Sequence, residues 1–233
     1  MAKIPNMIFI SDLHLPYQHP DALEFIAAVK DTYQVKIAKS VGDIVDNHFP
    51  SFHDIEYGCL SAKEEFNAAG ILCRELASIF PYIDVSLGNH DIMAHRKAKV
   101  AGIPEECLTD YNARYGVKWN WKPKHYFKVD RYNNCLMTHT ISINTLTNAR
   151  NYSHCSIQGH HHGTFGLEYF SDHETLRWSM TTGCLIDDNS PAFNYNKANI
   201  LKRPILGLGV LFEEIPVMVP MRLKRNGRWD GST

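Results

Sequence analysis

The chain has 233 residues, of which 44% are apolar and 21% charged, and this balance excludes a disordered or collagen-like protein. The formal charge of −1 and the pI of about 6.9 give no overall positive field, so nucleic acid is not indicated as a partner. The six cysteines form no CxxC pair, which favours reduced thiols and a cytoplasmic location. No apolar run approaches about 18 residues, so we expect no membrane span.

The first half alternates apolar runs typical of buried strands with stretches of helical periodicity. Strands are predicted at residues 7–10, 35–41 and 83–87, each followed by polar residues. One helix is predicted after Asp21 and a second after a capping box at residues 61–64. Helical patterns also follow the third strand up to about residue 101 and occur again over 105–115. Repeated strand and helix units of this kind predict an α/β fold with a mostly buried sheet.

From about residue 117 the pattern becomes rich in β-structure. Residues 126–129 and 135–138 flank Arg131-Tyr-Asn-Asn134 and predict a hairpin. Further strands are predicted at 155–158, 206–212 and 217–223. The length suits one large α/β domain, and we treat residues 1–233 as a single domain.

Side chains able to bind metals follow the predicted strands. They are Asp12, His14, Asp43, Asn89, His139, His160 and His162. The carboxyl ends of strands meet at one edge of an α/β sheet, so we expect these side chains to converge. If the extended backbone continues beyond the strands, Asp12 and His14 face the same way, as do His160 and His162, and His161 turns away. Such a mixed nitrogen and oxygen set suits Mn, Fe, Zn or Ni, and we expect two divalent ions, with manganese the first choice.

Five ordered motifs resemble those of the calcineurin-like metallophosphoesterases. They are Asp12-Leu-His14, Gly42-Asp43-Ile-Val-Asp46, Gly88-Asn89-His90-Asp91, His139 within Met137-Thr-His-Thr140, and Gly159-His160-His-His162. Each motif is weak alone, but together they span residues 12–162 in order. The resemblance implies two mixed β-sheets sandwiched between α-helices, with residues 163–233 completing the second sheet and part of the pocket.

The resemblance also implies a role for each site residue. Asp12, His14, Asp43 and His162 would bind one metal ion, and Asp43, Asn89, His139 and His160 the other, with Asp43 as the bridge. His90 would be the general acid at the scissile phosphate and Asp46 would orient it. The implied function is hydrolysis of a phosphomonoester or phosphodiester, a nucleotide or similar small substrate, by in-line attack of a hydroxide between the ions.

Several alternatives remain open from the sequence. Asn47 and Asp91 stand where protein phosphatases of the superfamily have Arg and Glu, which lowers that interpretation. Another basic residue, such as Arg96, Lys97 or Arg150, could bind phosphate in place of that Arg. A nuclease could hold nucleic acid on the basic residues near the end of the chain or on Trp119 and Trp121 as a stacking platform, although strand packing explains the two tryptophans better. A non-catalytic scaffold of the same fold is a further alternative.

Some residues have an ordinary structural explanation. Asp46 could instead cap a turn or helix, and His139 has no diagnostic neighbours and is assigned from its place in the order. Four histidines near the motifs, His19, His48, His53 and His95, could line the cleft but are left without a role. The basic residues near the end, Arg222, Lys224, Arg225 and Arg228, are expected to be solvated.

Overall fold

The computed structural model describes residues 3–49, 58–140, 142–144, 147, 150, 153–171, 173–193 and 203–233. Within them the strands are β1 (Met7–Ile10), β2 (Ile37–Ser40), β3 (Ile83–Ser86), β4 (Asn120–Lys122), β5 (Lys124–Lys128), β6 (Asn134–Thr138), β7 (Cys155–Gln158), β8 (Phe165–Ser171), β9 (Leu176–Thr182), β10 (Gly207–Phe212) and β11 (Ile215–Pro220). They form two mixed sheets, in the orders β11-β10-β1-β2-β3-β4 and β5-β6-β7-β9-β8. The α/β fold class expected from the sequence, two mixed sheets with flanking helices, is confirmed.

The parallel strands determine where the site forms. Strands β1 to β4 run parallel to one another, and β6, β7 and β9 do the same in the second sheet. Strands β10, β5 and β8 are antiparallel to the neighbours β1, β6 and β9, respectively. Each group of parallel strands therefore delivers its carboxyl ends to one edge of its sheet.

The helices are α1 (Ala22–Thr32), α2 (Ala62–Ile79), α3 (Met93–Val100) and α4 (Tyr111–Tyr115), with short 3-10 turns at Glu105–Cys107 and Pro191–Phe193. The predicted helical stretch over 105–115 is thus a 3-10 turn followed by α4, which ends where Gly116 adopts a positive φ of 69°. No helix in the described part of the chain is long and apolar enough to cross a bilayer.

Strand β1 shows how the apolar sequence is divided between two cores. Ile8 and Ile10 pack in a cluster with residues of α1 and α2, whereas Met7 and Phe9 pack in a second cluster with residues of β6, β7 and β9. Alternate side chains of a strand point to opposite faces, so a strand covered on both sides has no polar face. This burial explains the continuous apolar run from Met7 to Ile10.

The C-terminal portion departs from the expectation that residues 163–233 complete the second sheet. Strands β8 and β9 join the second sheet, but β10 pairs with β1 and, with β11, extends the first sheet. The reason is burial: Leu208, Val210 and Leu211 of β10 are fully buried against the cores on both sides of β1. The sequence carries no signal for this pairing, because it joins strands from opposite ends of the chain.

The aromatic segment around Trp119 is part of the core. The Trp119 side chain is 3% exposed, and the Trp121 ring stacks on Tyr111 with ring centroids 4.7 Å apart. The Trp121 Nε1–H donates to Asn112 Oδ1 at 3.0 Å. These contacts favour packing over a stacking platform for nucleic acid.

The basic end of the chain is folded back onto α1. Arg228 donates to both carboxylate oxygens of Asp21, and the Trp229 ring meets Phe25 edge-on at 5.6 Å between centroids. The expectation that Arg228 is merely solvated is therefore wrong, because its guanidinium pairs with the carboxylate just before α1.

The capping box predicted at the start of α2 is confirmed and gives a stability test. Ser61 Oγ accepts from the Glu64 amide, and the Glu64 carboxylate accepts from the Ser61 amide at 2.9 Å. We predict that Ser61→Ala lowers the free energy of unfolding by about 1 kcal/mol, because amides of the first turn lose their partner. Urea unfolding measures the change. The control is Ser78→Ala, an exposed position in the same helix, and an equal loss in both variants would contradict the prediction.

Candidate metal centre

The predicted site residues lie on five loops at the carboxyl ends of parallel strands. Asp12 and His14 follow β1, Asp43 and Asp46 follow β2, Asn89 and His90 follow β3, His139 follows β6, and His160 and His162 follow β7. The structure brings these side chains together at the junction of the two sheets. The side chains therefore lie close together, as the sequence predicted.

The backbone reason for the convergence differs from the predicted one. The extended conformation ends before the site: Asp12 and His14 both have a φ of 49°, Asp43 has 48° and His160 has 68°. The alternation argument for Asp12 and His14 is wrong, because neither residue continues the strand. These left-handed conformations are unusual for residues other than glycine and cluster at functional sites, where the surrounding structure holds them.

One group of ligand-type atoms surrounds Asp12. His162 Nε2 lies 3.1 Å and His14 Nε2 3.7 Å from Asp12 Oδ1. The other oxygen of Asp12 accepts from Ser11 Oγ and from the His160 amide, the latter at 2.9 Å. One carboxylate oxygen is thus fixed by hydrogen bonds while the other faces the two imidazoles.

A second group surrounds His139. Its Nε2 lies 3.0 Å from Asn89 Oδ1, 3.1 Å from Asp43 Oδ2 and 3.2 Å from His160 Nδ1. Asp43 Oδ2 is also 3.7 Å from His14 Nε2, so this carboxylate lies between the two groups. This is the position that a bridging ligand would occupy.

The hydrogen bonds on the far side of each imidazole decide which nitrogen faces the centre. His14 Nδ1 donates to Asp46 Oδ1 at 2.6 Å, and His139 Nδ1 donates to the Val41 carbonyl at 3.1 Å. In the neutral rings Nε2 then carries a lone pair. His14 Nε2 is buried without a hydrogen-bond partner, and its neighbours are carboxylate oxygens. A divalent cation fits such a set of inward-facing lone pairs.

The charges of the site favour a cation as well. Burial lowers the pKa of His139, but the Asp43 carboxylate outweighs it and raises that pKa to about 9. Burial raises the pKa of Asp12 and of Asp43, but the surrounding imidazoles outweigh it and hold both values well below the usual range. Burial and the charge of His139 lower the pKa of His160 to about 4, so its ring is neutral at pH 7. The buried carboxylates thus stabilise positive charge on the imidazole of His139 beside them.

His90 lies at the edge of the same centre, and Asp46 fixes its ring on the outer side. Its Nδ1 donates to the Asp46 carbonyl at 2.6 Å and lies 3.3 Å from Asp46 Oδ1. This bond leaves Nε2 as the nitrogen available to the cavity. Burial and the charge of His14 lower the pKa of His90, but the Asp46 and Asp43 carboxylates outweigh them and the pKa lies above its ordinary value. His90 also forms a ligand-type group with His14 and Asp43.

Asp91 has a supporting position that the sequence analysis did not assign. Its carboxylate accepts from the amides of Asp43 and Gly88, both at 2.9 Å, and from that of Val45 at 3.3 Å. It therefore ties the loop after β2 to the loop after β3. Burial and the charge of Asp43 raise the pKa of Asp91 to about 6. The contacts with Asp43 and Val45 are invisible in the sequence because they are long-range.

Two glycines permit the close approach of the carboxylates. A Cβ on Gly88 would lie 2.0 Å from Asp43 Oδ1, and one on Gly159 would lie 2.4 Å from Asp12 Oδ2. Real Cβ atoms do not approach so closely, so a side chain at either position would displace a carboxylate. The motifs therefore have glycine before Asn89 and before His160 because a larger residue would not fit at either position.

Behind Asp46 lies a second polar layer formed by Glu65, Tyr17 and His48. The Glu65 carboxylate accepts from the His48 amide at 2.8 Å and from Tyr17 Oη at 3.3 Å. His48 Nδ1 is 3.7 Å from Asp46 Oδ2. Burial and the charge of Asp46 raise the pKa of Glu65 to about 7. Glu65 comes from α2, far from the motifs in sequence, and the sequence offers no signal for it beyond an acidic residue on an apolar helix face.

The centre opens into a cavity of about 730 Å³. Its walls include His161, which the alternation argument had turned away; that expectation is wrong, because the backbone at His160 is left-handed rather than extended. Arg203 also lines the cavity and was not singled out from the sequence.

His19 and His95, two of the histidines near the motifs, make structural contacts. His19 Nδ1 accepts from the Asp21 amide and its Nε2 donates to the Gly227 carbonyl, which ties the end of the chain to α1. The His95 ring stacks on Tyr111 at 5.0 Å between centroids. His53 lies outside the described residues.

Comparison with known proteins supports the fold. No protein-family model and no curated protein matches the chain. Among solved structures, an archaeal phosphodiesterase is similar over 92% of this chain and 99% of that one, with a TM-score of 0.50 and 14% identity. Vps29 from Chaetomium thermophilum is similar over 97% and 94% of the two chains, with a TM-score of 0.49 and 11% identity. At 14% identity the likeness to the phosphodiesterase establishes a shared fold alone.

The raised pKa of Glu65 gives a test of the layer behind the site. In the folded protein Glu65 keeps its proton up to about pH 7, whereas the ordinary pKa of a glutamate is 4.5. Ionisation of Glu65 therefore opposes folding as the pH rises between these two values. We predict that the stability of Glu65→Gln relative to that of the unsubstituted chain increases as the pH is raised from 5 to 8. The increase in the free energy of unfolding should be roughly 1–3 kcal/mol. Urea unfolding at both pH values measures it. Glu75→Gln, exposed on the same helix, is the control; matching pH profiles of the two variants would count against the prediction.

Proposed function

Since the chain has the fold of the calcineurin-like metallophosphoesterases, we propose that it is a phosphoesterase with two divalent metal ions, manganese being the first candidate. The observation that carries the proposal is the orientation of His14 and His139. Each donates from Nδ1 to an oxygen behind it and presents Nε2 to the Asp43 carboxylate in front. A divalent cation would replace the protons on these inward-facing nitrogens and pair with the buried carboxylates.

The ligands divide into two sets that share one carboxylate. We assign Asp12, His14, Asp43 and His162 to one ion, and Asp43, Asn89, His139 and His160 to the other, in agreement with the two groups described above. The ions, when bound, supply Lewis-acid activation of the ester and of the attacking water. The protein contributes rigid placement, because each ligand is fixed by a hydrogen bond on its outer side or by the loop backbone.

We assign His90 the transfer of a proton to the leaving group. Its Nε2 faces the cavity, and Asp46 holds its Nδ1 through the carbonyl oxygen. Asp46 at the same time fixes the ring of His14 through its carboxylate. One aspartate thus sets the relative orientation of a ligand and of the proton donor, whose rings meet edge-on with centroids 4.5 Å apart.

The shape of the cavity favours a small substrate. Its volume of about 730 Å³ is within the range of roughly 300–1,000 Å³ found for small-molecule sites. We therefore propose a phosphomonoester or phosphodiester of nucleotide size. The buried packing of Trp119 weakens one of the two surfaces that the nuclease alternative could use, while Arg222, Lys224 and Arg225 of the basic tail are exposed.

Metal analysis and an ester panel test this function together. The purified chain, loaded with manganese, is assayed with p-nitrophenyl phosphate, bis-p-nitrophenyl phosphate, nucleotides, cyclic nucleotides and single-stranded DNA. We expect about two bound ions and hydrolysis of small esters. Selective, salt-sensitive cleavage of DNA would favour a nuclease instead. A chain that binds no metal and cleaves none of the esters would be a non-catalytic scaffold.

The bridging position of Asp43 leads to a metal-binding prediction. We expect Asp43→Asn to lose at least one ion per chain, because the amide removes the negative charge between the two groups. Elemental analysis after gel filtration measures the stoichiometry. Asp31→Asn, an exposed position in α1, is the control and should retain both ions. Full occupancy in Asp43→Asn would refute the bridge.

The role of His90 predicts a different pattern. His90→Ala should retain metal yet lose at least ~10²-fold in turnover of esters with poor leaving groups, because no group protonates the departing oxygen. Esters of p-nitrophenol should be affected less, since that leaving group needs no proton. His173→Ala, whose side chain is exposed, serves as the control. Equal losses with both leaving groups would exclude His90 as the acid.

A further inference from the structure

The cavity wall beyond the metal ligands combines apolar side chains with one strong cation. Ile143 and Pro204 supply accessible apolar surface, Ile186 and Phe193 lie buried beneath the wall, and Asp188 supplies a carboxylate. Among the described residues that line the cavity, Arg203 is the one lysine or arginine. Phosphate oxygens and an organic group therefore have complementary surfaces in the same space.

The backbone places Arg203 beside the site. Two residues further on, the Ile205 amide donates to the carbonyl of His162 at 2.8 Å, and the Ile205 carbonyl accepts from the Cys184 amide at 3.2 Å. Two residues span at most about 7 Å of extended chain. The segment that carries Arg203 is thus anchored directly to a predicted metal ligand.

The basic residues considered from the sequence do not lie there. Arg96, Lys97 and Arg150 are absent from the described lining of the cavity. Asn47, which follows the second motif, donates from its side-chain Nδ2 to the His90 carbonyl at 2.8 Å. This bond supports the backbone of the loop that carries His90. Within the described lining of the cavity, Arg203 is the side-chain cation available to a phosphate.

We infer that Arg203 binds phosphate oxygens of the substrate, an organic phosphoester whose apolar group packs against Ile143 and Pro204; this rests on the proposed function. A guanidinium offers parallel N–H donors that match two phosphate oxygens, which an ammonium group does not. Phe193 is buried with its ring edge-on to His14 at 5.4 Å between centroids, so it packs behind the metal centre and leaves the accessible apolar surface to Ile143 and Pro204.

The test compares Arg203→Gln and Arg203→Lys with Arg225→Gln, an exposed position near the end of the chain. The manganese-loaded proteins are assayed with bis-p-nitrophenyl phosphate, and binding of inorganic phosphate is measured by calorimetry. We expect Arg203→Gln to raise KM and the Kd for phosphate roughly 10- to 100-fold, with metal content and kcat little changed. Arg203→Lys should recover part of the loss, and Arg225→Gln should behave as the unsubstituted chain.

The outcomes separate this inference from the proposed function. If the unsubstituted chain hydrolyses esters but Arg203→Gln matches Arg225→Gln in KM and in phosphate binding, Arg203 has no such role and the function stands. If Arg203→Gln instead loses metal or melts at a lower temperature, its role is structural and the inference is overturned. A chain that binds no metal, hydrolyses no ester and binds no phosphate would overturn both.

Discussion

The pairing of two loops at the ends of β1 and β2 holds the site in place. The Asp12 amide donates to the Gly42 carbonyl, the His14 amide to the Asp43 carbonyl and the Asp46 amide to the Leu15 carbonyl, at 3.0–3.1 Å. The parallel register of the two strands thereby continues into the loops after the strand geometry has ended. Because both loops are anchored at each step, their ligand-type side chains keep fixed positions despite an unusual backbone.

This rigidity brings three carboxylates and their imidazole partners into one buried cluster. Asp12, Asp43 and Asp46 are all buried, and each has a pKa below its usual range because imidazoles outweigh the effect of burial. Buried carboxylates are costly unless they are paired or bind a metal. The proposed ions would therefore contribute to folding as well as to chemistry, since an unfolded chain has no preformed site.

A second layer of buried acids supports the first. Asp91 joins the two central loops through amide contacts, Asp46 holds the rings of His14 and His90, and Glu65 fixes the loop at His48. These residues come from a strand-to-helix turn, a loop and a helix. The geometry of the centre is thus shared among several elements, and loosening one of them would move ligands in more than one group.

Local patterns in the sequence determined the capping box, the five motifs and most strands, whereas β4, β8 and β9 were not predicted. The apolar run at 7–10 and the Ser61 to Glu64 box need only neighbouring residues, so their structure follows from periodicity and local hydrogen bonding. The site residues were recognised because each motif follows a strand that must end at a common edge. The prediction that they converge needed the order of the motifs and no distance.

Tertiary structure alone decided the features that depend on residues far apart in the chain. It placed β10 beside β1, turned Asp12 and His14 by left-handed backbone rather than by strand alternation, and returned His161 to the cavity wall. It also brought Glu65 behind the site and Arg203 to the cavity wall. The physical reason is the same in each case: long-range backbone pairing and burial fix these positions, and neither leaves a mark in the local sequence.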